Sequence, residues 1–129
     1  MTANPAPGWR QHPDHRVDLI AEERRWRAIH GGDVIAESGD ILWVQETGYD
    51  PVPYFPRQDV RLEHLRRSDR KSHCPFKGEA SYFTVTGTAG DDENAAWSYE
   101  QPYDEMARLK ERIAFYPDRV RVEPAAKGQ

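Results

Sequence analysis

The sequence predicts a mainly β domain with one C-terminal helix, arranged as a small antiparallel sandwich or an open barrel. Three observations predict it. Short segments of alternating polarity are separated by Gly and Pro turns, a Gly31-Gly32 pair marks a tight hairpin, and aromatic residues do much of the work usually left to aliphatics. Leu, Ile, Val and Phe together number only 22 of 129 residues, beside 4 Trp and 6 Tyr. Each aromatic buries ~150–250 Å², so a core of rings can stabilise a domain of this size. All the rings except Trp9 and Trp26 lie between Trp43 and Tyr116.

Taken in order, Arg25-Trp26-Arg27-Ala28-Ile29-His30 alternates charged with apolar residues, as a half-buried strand does. Gly31-Gly32 turns it into Val34-Ile35-Ala36. Ile41-Leu42-Trp43-Val44 is apolar on both faces and predicts a central strand. Pro51, Pro53 and Pro56, set among Tyr49, Tyr54 and Phe55, predict a fixed extended loop with a short edge strand. Asp59 to Leu65 fits a short helix or a strand equally well. Glu79–Thr86 and Ala95–Tyr99 alternate and predict a hairpin across the polar Gly87–Asn94 loop. Pro102, the acids Asp104 and Glu105, and the spacing of Met106, Leu109 and Ile113 predict the helix. Arg119-Val120-Arg121-Val122 closes as a last strand.

Residues 1–16 hold Pro5, Pro7 and Pro13 among polar residues and read as a mobile or loosely docked arm. Residues 17–123 form the single domain, and 124–129 form a frayed tail. No stretch approaches the ~20 apolar residues of a membrane span, and Met1 to His15 lacks the apolar core of a signal peptide. These features predict a cytoplasmic protein with no membrane partner. The single cysteine, Cys74, excludes an internal disulfide and a Cys-paired zinc site. No metal and no cofactor are expected. Net charge is −4, but it is unevenly spread. Arg57 to Lys77 is basic and Asp91 to Glu105 is acidic, which fits either solvated loops or a basic face that recruits an anion.

Four blocks stand in a familiar order: Glu46-Thr47-Gly48-Tyr49 with Tyr54-Phe55-Pro56-Arg57-Gln58-Asp59-Val60, then Cys74-Pro75-Phe76-Lys77-Gly78-Glu79-Ala80-Ser81-Tyr82, Ala96-Trp97-Ser98-Tyr99 with Pro102, and Phe115-Tyr116-Pro117-Asp118-Arg119-Val120. Over roughly residues 25–123 the chain resembles the bacterial and fungal family called domain of unknown function 427. The resemblance implies a compact β-rich domain, and it carries a nucleotidyltransferase label. Nucleotidyl transfer normally uses paired carboxylates that hold two divalent cations. The polymerase-β-like form would show Gly-Ser followed by Asp-x-Asp, and Asp91-Asp92 lacks the preceding Gly-Ser. A tent-like pair of sheets is a further fold alternative; without cysteine pairs it would be free of zinc.

The block from His73 to Tyr82 crowds reactive groups around a bend made by Pro75 and Gly78. Cys74 beside His73 and Lys77 suits a nucleophilic or redox thiol, and equally a packed, inert one. Lys77 suits an anion, with Glu79 as its ion-pair partner or as a general base. His73 and Cys74 would face opposite sides of a strand, which argues against a dyad. His30, at the hairpin, reads as a turn residue. Tyr82, Trp97 and Tyr99 share one predicted face, Tyr54 is able to close over it, and Asp59 is either a turn residue or a pocket residue. Rings around a few polar groups suit both a core and a small-molecule pocket. Buried tyrosine hydroxyls need partners, which tilts the balance toward a polar cavity.

The favoured function is therefore binding of a small anionic or planar molecule, with catalysis open. The candidate catalytic residues are Cys74, Lys77 and Glu79; the candidate ligand-binding residues are Tyr54, Asp59, Tyr82, Trp97 and Tyr99. One alternative is an interaction module that binds nucleic acid or protein through the Arg57–Lys77 face, with overall acidity arguing against nucleic acid. Another is thiol redox chemistry at Cys74, which lacks a resolving cysteine. A homodimer formed over aromatic surface is a further open option.

Overall fold

The computed structural model describes residues 3–125. In chain order its strands are β1 (Val17–Glu22), β2 (Trp26–His30), β3 (Asp33–Ser38), β4 (Ile41–Glu46) and β5 (Val52–Tyr54). They continue with β6 (Leu65–Cys74), β7 (Gly78–Val85), β8 (Asp92–Ser98), β9 (Ile113–Phe115) and β10 (Arg121–Pro124). The strands make three antiparallel sheets, ordered β1-β4-β5, β10-β2-β3 and β6-β7-β8-β9. The first and third are joined where Phe55 and Ile113 exchange both backbone hydrogen bonds, at 2.8 and 2.9 Å. Among the described residues, no sheet closes into a barrel. No helix among the described residues is long and apolar enough to cross a membrane.

The predicted hairpins form. Gly31 and Gly32 both take positive φ, as a two-residue turn between twisted strands requires, and β2 pairs with β3. β7 pairs with β8 across the loop that follows Val85. The predicted C-terminal helical element forms, as 3-10 rather than α. Asp104–Leu109 is a pair of 3-10 turns kinked at Met106, and Ile113 belongs to β9. Met106 and Leu109 are both buried there, as the apolar spacing predicts. The Asp59–Leu65 stretch resolves into two 3-10 turns, Arg57–Asp59 and Leu62–His64, which lead into β6. The ten-residue β6 was not predicted; it is polar and forms one edge of its sheet.

Two cores lie on opposite faces of the joined sheets, because successive strand residues point to opposite sides. β9 sends Ile113 and Phe115 into one core and Ala114 into the other; β7 divides Phe83 and Val85 from Ala80 and Tyr82. The β10-β2-β3 sheet contributes Ala28, Ile35 and Ala36 to the first core. The N-terminal segment and the 3-10 turns close the second, which holds Phe76, Met106 and Leu109 with Trp9 packed against it. Residues 3–16 make specific contacts. The Asn4 and Ala6 amides donate to Asp104 Oδ2 and Glu105 Oε1, at 2.7 and 2.9 Å, and the Gly8 amide donates to the Pro75 carbonyl at 2.9 Å. Of the expected tail, Pro124 ends β10 and residues 126–129 lie outside the described residues.

The β6–β7 turn, Pro75-Phe76-Lys77, is fixed from both sides. Gly78 has a φ of 121°, and a Cβ there would meet the Gln101 carbonyl oxygen and Pro102 Cα at 3.3 Å. The Tyr103 amide donates to the Lys77 carbonyl at 3.0 Å. Phe76 is buried between Trp9, in edge contact at 4.7 Å, and His15, stacked at 4.2 Å. Elsewhere, Glu100 accepts from Arg57 and from both terminal nitrogens of Arg67. The Arg67 hydrogen bonds, then those of Arg57, hold its carboxyl well below the usual range, at about 2.

Phe76→Ala should cost about 3–5 kcal/mol of unfolding free energy and Gly78→Ala about 1–3 kcal/mol, both read by urea denaturation. Losses under about 1 kcal/mol for Phe76→Ala would show that the turn is not anchored as described. Glu100 should contribute stability in full above its unfolded value of about 4.3 and lose it as pH falls through the folded value. Glu100→Gln should therefore be less stable at neutral pH, with a shallower acid slope between about pH 4.5 and 2. An unchanged slope would contradict the ion-pair account.

Candidate functional site

Lys77 leaves the fixed turn with its side chain almost fully buried, and its ammonium donates to Glu46 Oε1. Glu46 ends β4, so this contact ties the first sheet to the β6–β7 turn. The other carboxylate oxygen, Oε2, accepts from His15 Nε2 at 2.9 Å. His15 reaches it from the N-terminal segment, with its ring held flat on Phe76. A row of three ionisable groups, His15–Glu46–Lys77, thus stands at the edge of the second core.

Beside this row lies a cleft of about 420 Å³. Tyr54, Tyr82, Trp97, Tyr99 and Tyr116, with the exposed Tyr49, supply its rings, while Glu46, Cys74 and Lys77 supply polar groups. Trp97 Nε1 donates to the Tyr54 hydroxyl at 3.0 Å, with the two rings perpendicular at 6.1 Å. The Tyr82 hydroxyl bonds Ser72 Oγ at 2.8 Å. Trp97 and Tyr116 pack at 4.5 Å. Tyr99 is only 6% exposed; its hydroxyl makes no hydrogen bond among the described residues and is open to the cleft rather than sealed. Burial pushes the Tyr54 and Tyr99 phenols far up, and the neighbouring Tyr54, Cys74, Tyr82 and Glu46 add to the effect at Tyr99. Burial, with the adjacent Tyr82, also raises Tyr116. At neutral pH these phenols are protonated and able to donate.

Six of the predicted residues come together here: Tyr54, Cys74, Lys77, Tyr82, Trp97 and Tyr99. Two do not line the cleft. Glu79 is exposed on β7 opposite His73, so the ion pair expected for Lys77 is made with Glu46 instead. Asp59 sits in a 3-10 turn and accepts from Ser38 Oγ at 2.6 Å. His73 is exposed and bonds the Tyr103 hydroxyl at 2.6 Å, while Cys74 turns to the cleft; the two do face opposite ways. Glu46, Tyr116 and His15 were not assigned roles from sequence. Glu46 and Tyr116 both stand inside the familiar blocks, which was the available signal. His15 had none, being one polar residue in a polar arm.

The basic run is largely engaged. Arg57 and Arg67 grip Glu100, Arg66 pairs with Asp91, and Lys71 donates to Ser81 Oγ. Arg70 lies over the Tyr82 ring at 4.6 Å. On the far side, His30 is buried at the end of β2 rather than exposed in the turn, with Nε2 2.6 Å from Asp92 Oδ2. That bond, with Arg119, holds the Asp92 carboxyl below its usual range. Asp91 and Asp92 are thus each committed to a basic partner. Among the described residues, no group of three or more His, Cys, Asp or Glu is placed to hold a metal ion.

The cleft can accept a flat molecule among its rings and offer its polar edge donors from phenols and an ammonium. No curated protein matches the chain. A family profile does match, over residues 18–125, and its description is a domain of unknown function, number 427, catalogued under a nucleotidyltransferase label. With most of its length matched, the chain belongs to the domain of unknown function 427 family.

Proposed function

We propose that this domain binds a small planar or anionic molecule in the aromatic cleft, with Lys77 facing its charged or polar edge. The observation that carries this reading is Tyr99. Its ring is buried, while its hydroxyl has no protein partner among the described residues and stays accessible from the cleft. Phe would fill the same volume without placing a hydroxyl there. The polar atom faces the cleft's other polar groups, where a ligand acceptor would satisfy it. A pocket of this kind, apolar walls with a few convergent polar groups, is the usual form of a small-molecule site.

Cys74 and Lys77 are the groups in the cleft able to take part in chemistry, Cys74 as a nucleophile and Lys77 as an electrophilic anchor for a developing negative charge. Glu79 is exposed, so a carboxylate role within the cleft passes to Glu46. The interaction reading, through Arg57–Lys77, finds less support, because the guanidinium groups of Arg57, Arg66 and Arg67 already serve carboxylates.

A library of metabolites and planar fragments, read by thermal shift and by amide NMR, should yield compounds that perturb the amides around Tyr54, Trp97 and Tyr99. Tyr99→Phe should weaken those compounds by about fivefold, the value of one hydrogen bond, with little change in melting temperature. A library without a single saturable compound at the cleft would contradict the proposal. So would compounds that bind Tyr99→Phe and Lys77→Met as tightly as wild type.

A further inference from the structure

The hydrogen-bond polarity of the cleft narrows the ligand further. Tyr54 accepts from Trp97, which leaves its own O–H to donate; the Tyr99 O–H has no partner; Lys77 only donates. The buried acceptor, Glu46, has both oxygens occupied, by Lys77 and His15. Asp50, the other carboxylate of the cleft, is exposed at its rim. Phenol oxygens can also accept, but the donors left without a protein acceptor are the Tyr54 and Tyr99 O–H groups and the remaining ammonium hydrogens of Lys77, so an accepting ligand edge is the one that satisfies the interior. A single ammonium matches a single negative charge. A phosphate dianion would call for an arginine fork or a helix N-terminus; Arg70, stacked over Tyr82, does not line the cleft.

An anion that reaches Lys77 meets an obstacle, because Glu46 already neutralises it. Taking Lys77 away would strand a carboxylate whose side chain is only 12% exposed, at a cost of several kcal/mol. His15 is in place to prevent that. Its Nε2 is 2.9 Å from Glu46 Oε2; since an ionised carboxylate only accepts, Nε2 carries the hydrogen and Nδ1 is the nitrogen left to take a proton. His15 also borders a shallow concavity open to water, with His12 and Asp14 of the same segment and Thr47 beside it. The charged groups that face it are thus Glu46 and Lys77 from the sheets, and His12 and Asp14 from its own segment. Trp9 and Phe76 contribute rings only.

We propose that the ligand is a planar monocarboxylate, and that it binds by exchange of partners. The ligand carboxylate takes Lys77 from Glu46, and His15, gaining a proton from water at Nδ1, becomes the cation that holds Glu46. Binding then takes up one proton and leaves every buried charge paired. The proposal rests on the cleft reading above and adds to it the ligand's chemical class and its link to pH.

Benzoate and 2-naphthoate serve as probes, titrated calorimetrically above about pH 5.5, where a free carboxylate is ionised, in buffers of different protonation heat. Wild type should take up as much as one proton per ligand. Its affinity should fall as pH rises, by up to tenfold per pH unit. His15→Gln should flatten that dependence. Lys77→Met should lose benzoate while keeping uncharged benzamide, which also shows that the variant is folded. Saturable benzoate binding with no proton uptake, or with the same pH slope in His15→Gln, overturns partner exchange and leaves the cleft reading standing. Failure of both carboxylates to bind, while other compounds occupy the cleft, overturns the carboxylate class alone. Failure of every compound overturns both.

Discussion

The buried pair of Lys77 with Glu46 is the contact on which the second face of the molecule depends. Each partner is held by a different sheet, Glu46 at the end of β4 and Lys77 on the turn between β6 and β7. Neither charge could be buried alone, because taking an isolated ion from water costs several kcal/mol. The two sheets are therefore obliged to meet there, and the N-terminal segment is drawn in through His15 and the face of Phe76. Gly78 makes this approach feasible, since its backbone passes Gln101 and Pro102 where a side chain would crowd them.

A chain poor in aliphatics solves its packing with rings, and the two faces use them differently. The first core is conventional, with Ile35, Ile41, Phe55, Val85, Ile113 and Val120 buried together. The second gathers tyrosines, whose hydroxyls must be satisfied or turned to a cavity. The Tyr54 and Tyr82 hydroxyls have partners in Trp97 and Ser72, and the Tyr99 hydroxyl has none among the described residues. A core assembled only for stability would have little use for that hydroxyl. The same composition that makes the domain foldable thus leaves a polar edge inside it.

Much of this was legible in the sequence. The Gly31-Gly32 hairpin, the central β4 strand, the β7–β8 hairpin and six cleft residues follow from alternation, turn chemistry and the clustering of rings. β6 was hidden because Leu65–Cys74 carries hardly any apolar alternation; as an edge strand it is stabilised by backbone pairing and keeps charges that discourage edge-to-edge association. The C-terminal helical element is 3-10 rather than α although Met106, Leu109 and Ile113 repeat at helical spacing, because a 3-10 turn also buries residues three apart and Ile113 is claimed by β9. Glu79 looked like the natural partner of Lys77 by proximity in sequence. In a strand, however, it points away, and the true partner lies 31 residues earlier. Long-range pairings of this kind leave no local trace.

The central claim is that Lys77 and Glu46 are energetically coupled inside the protein and are not an incidental surface pair. A double-mutant cycle with Lys77→Met, Glu46→Gln and the combined variant, read by urea unfolding at neutral pH, tests it directly. The account predicts a coupling energy above about 1.5 kcal/mol, with the double variant more stable than the sum of the single losses allows. A coupling of about 0.5 kcal/mol or less, the value of an exposed ion pair, would contradict it.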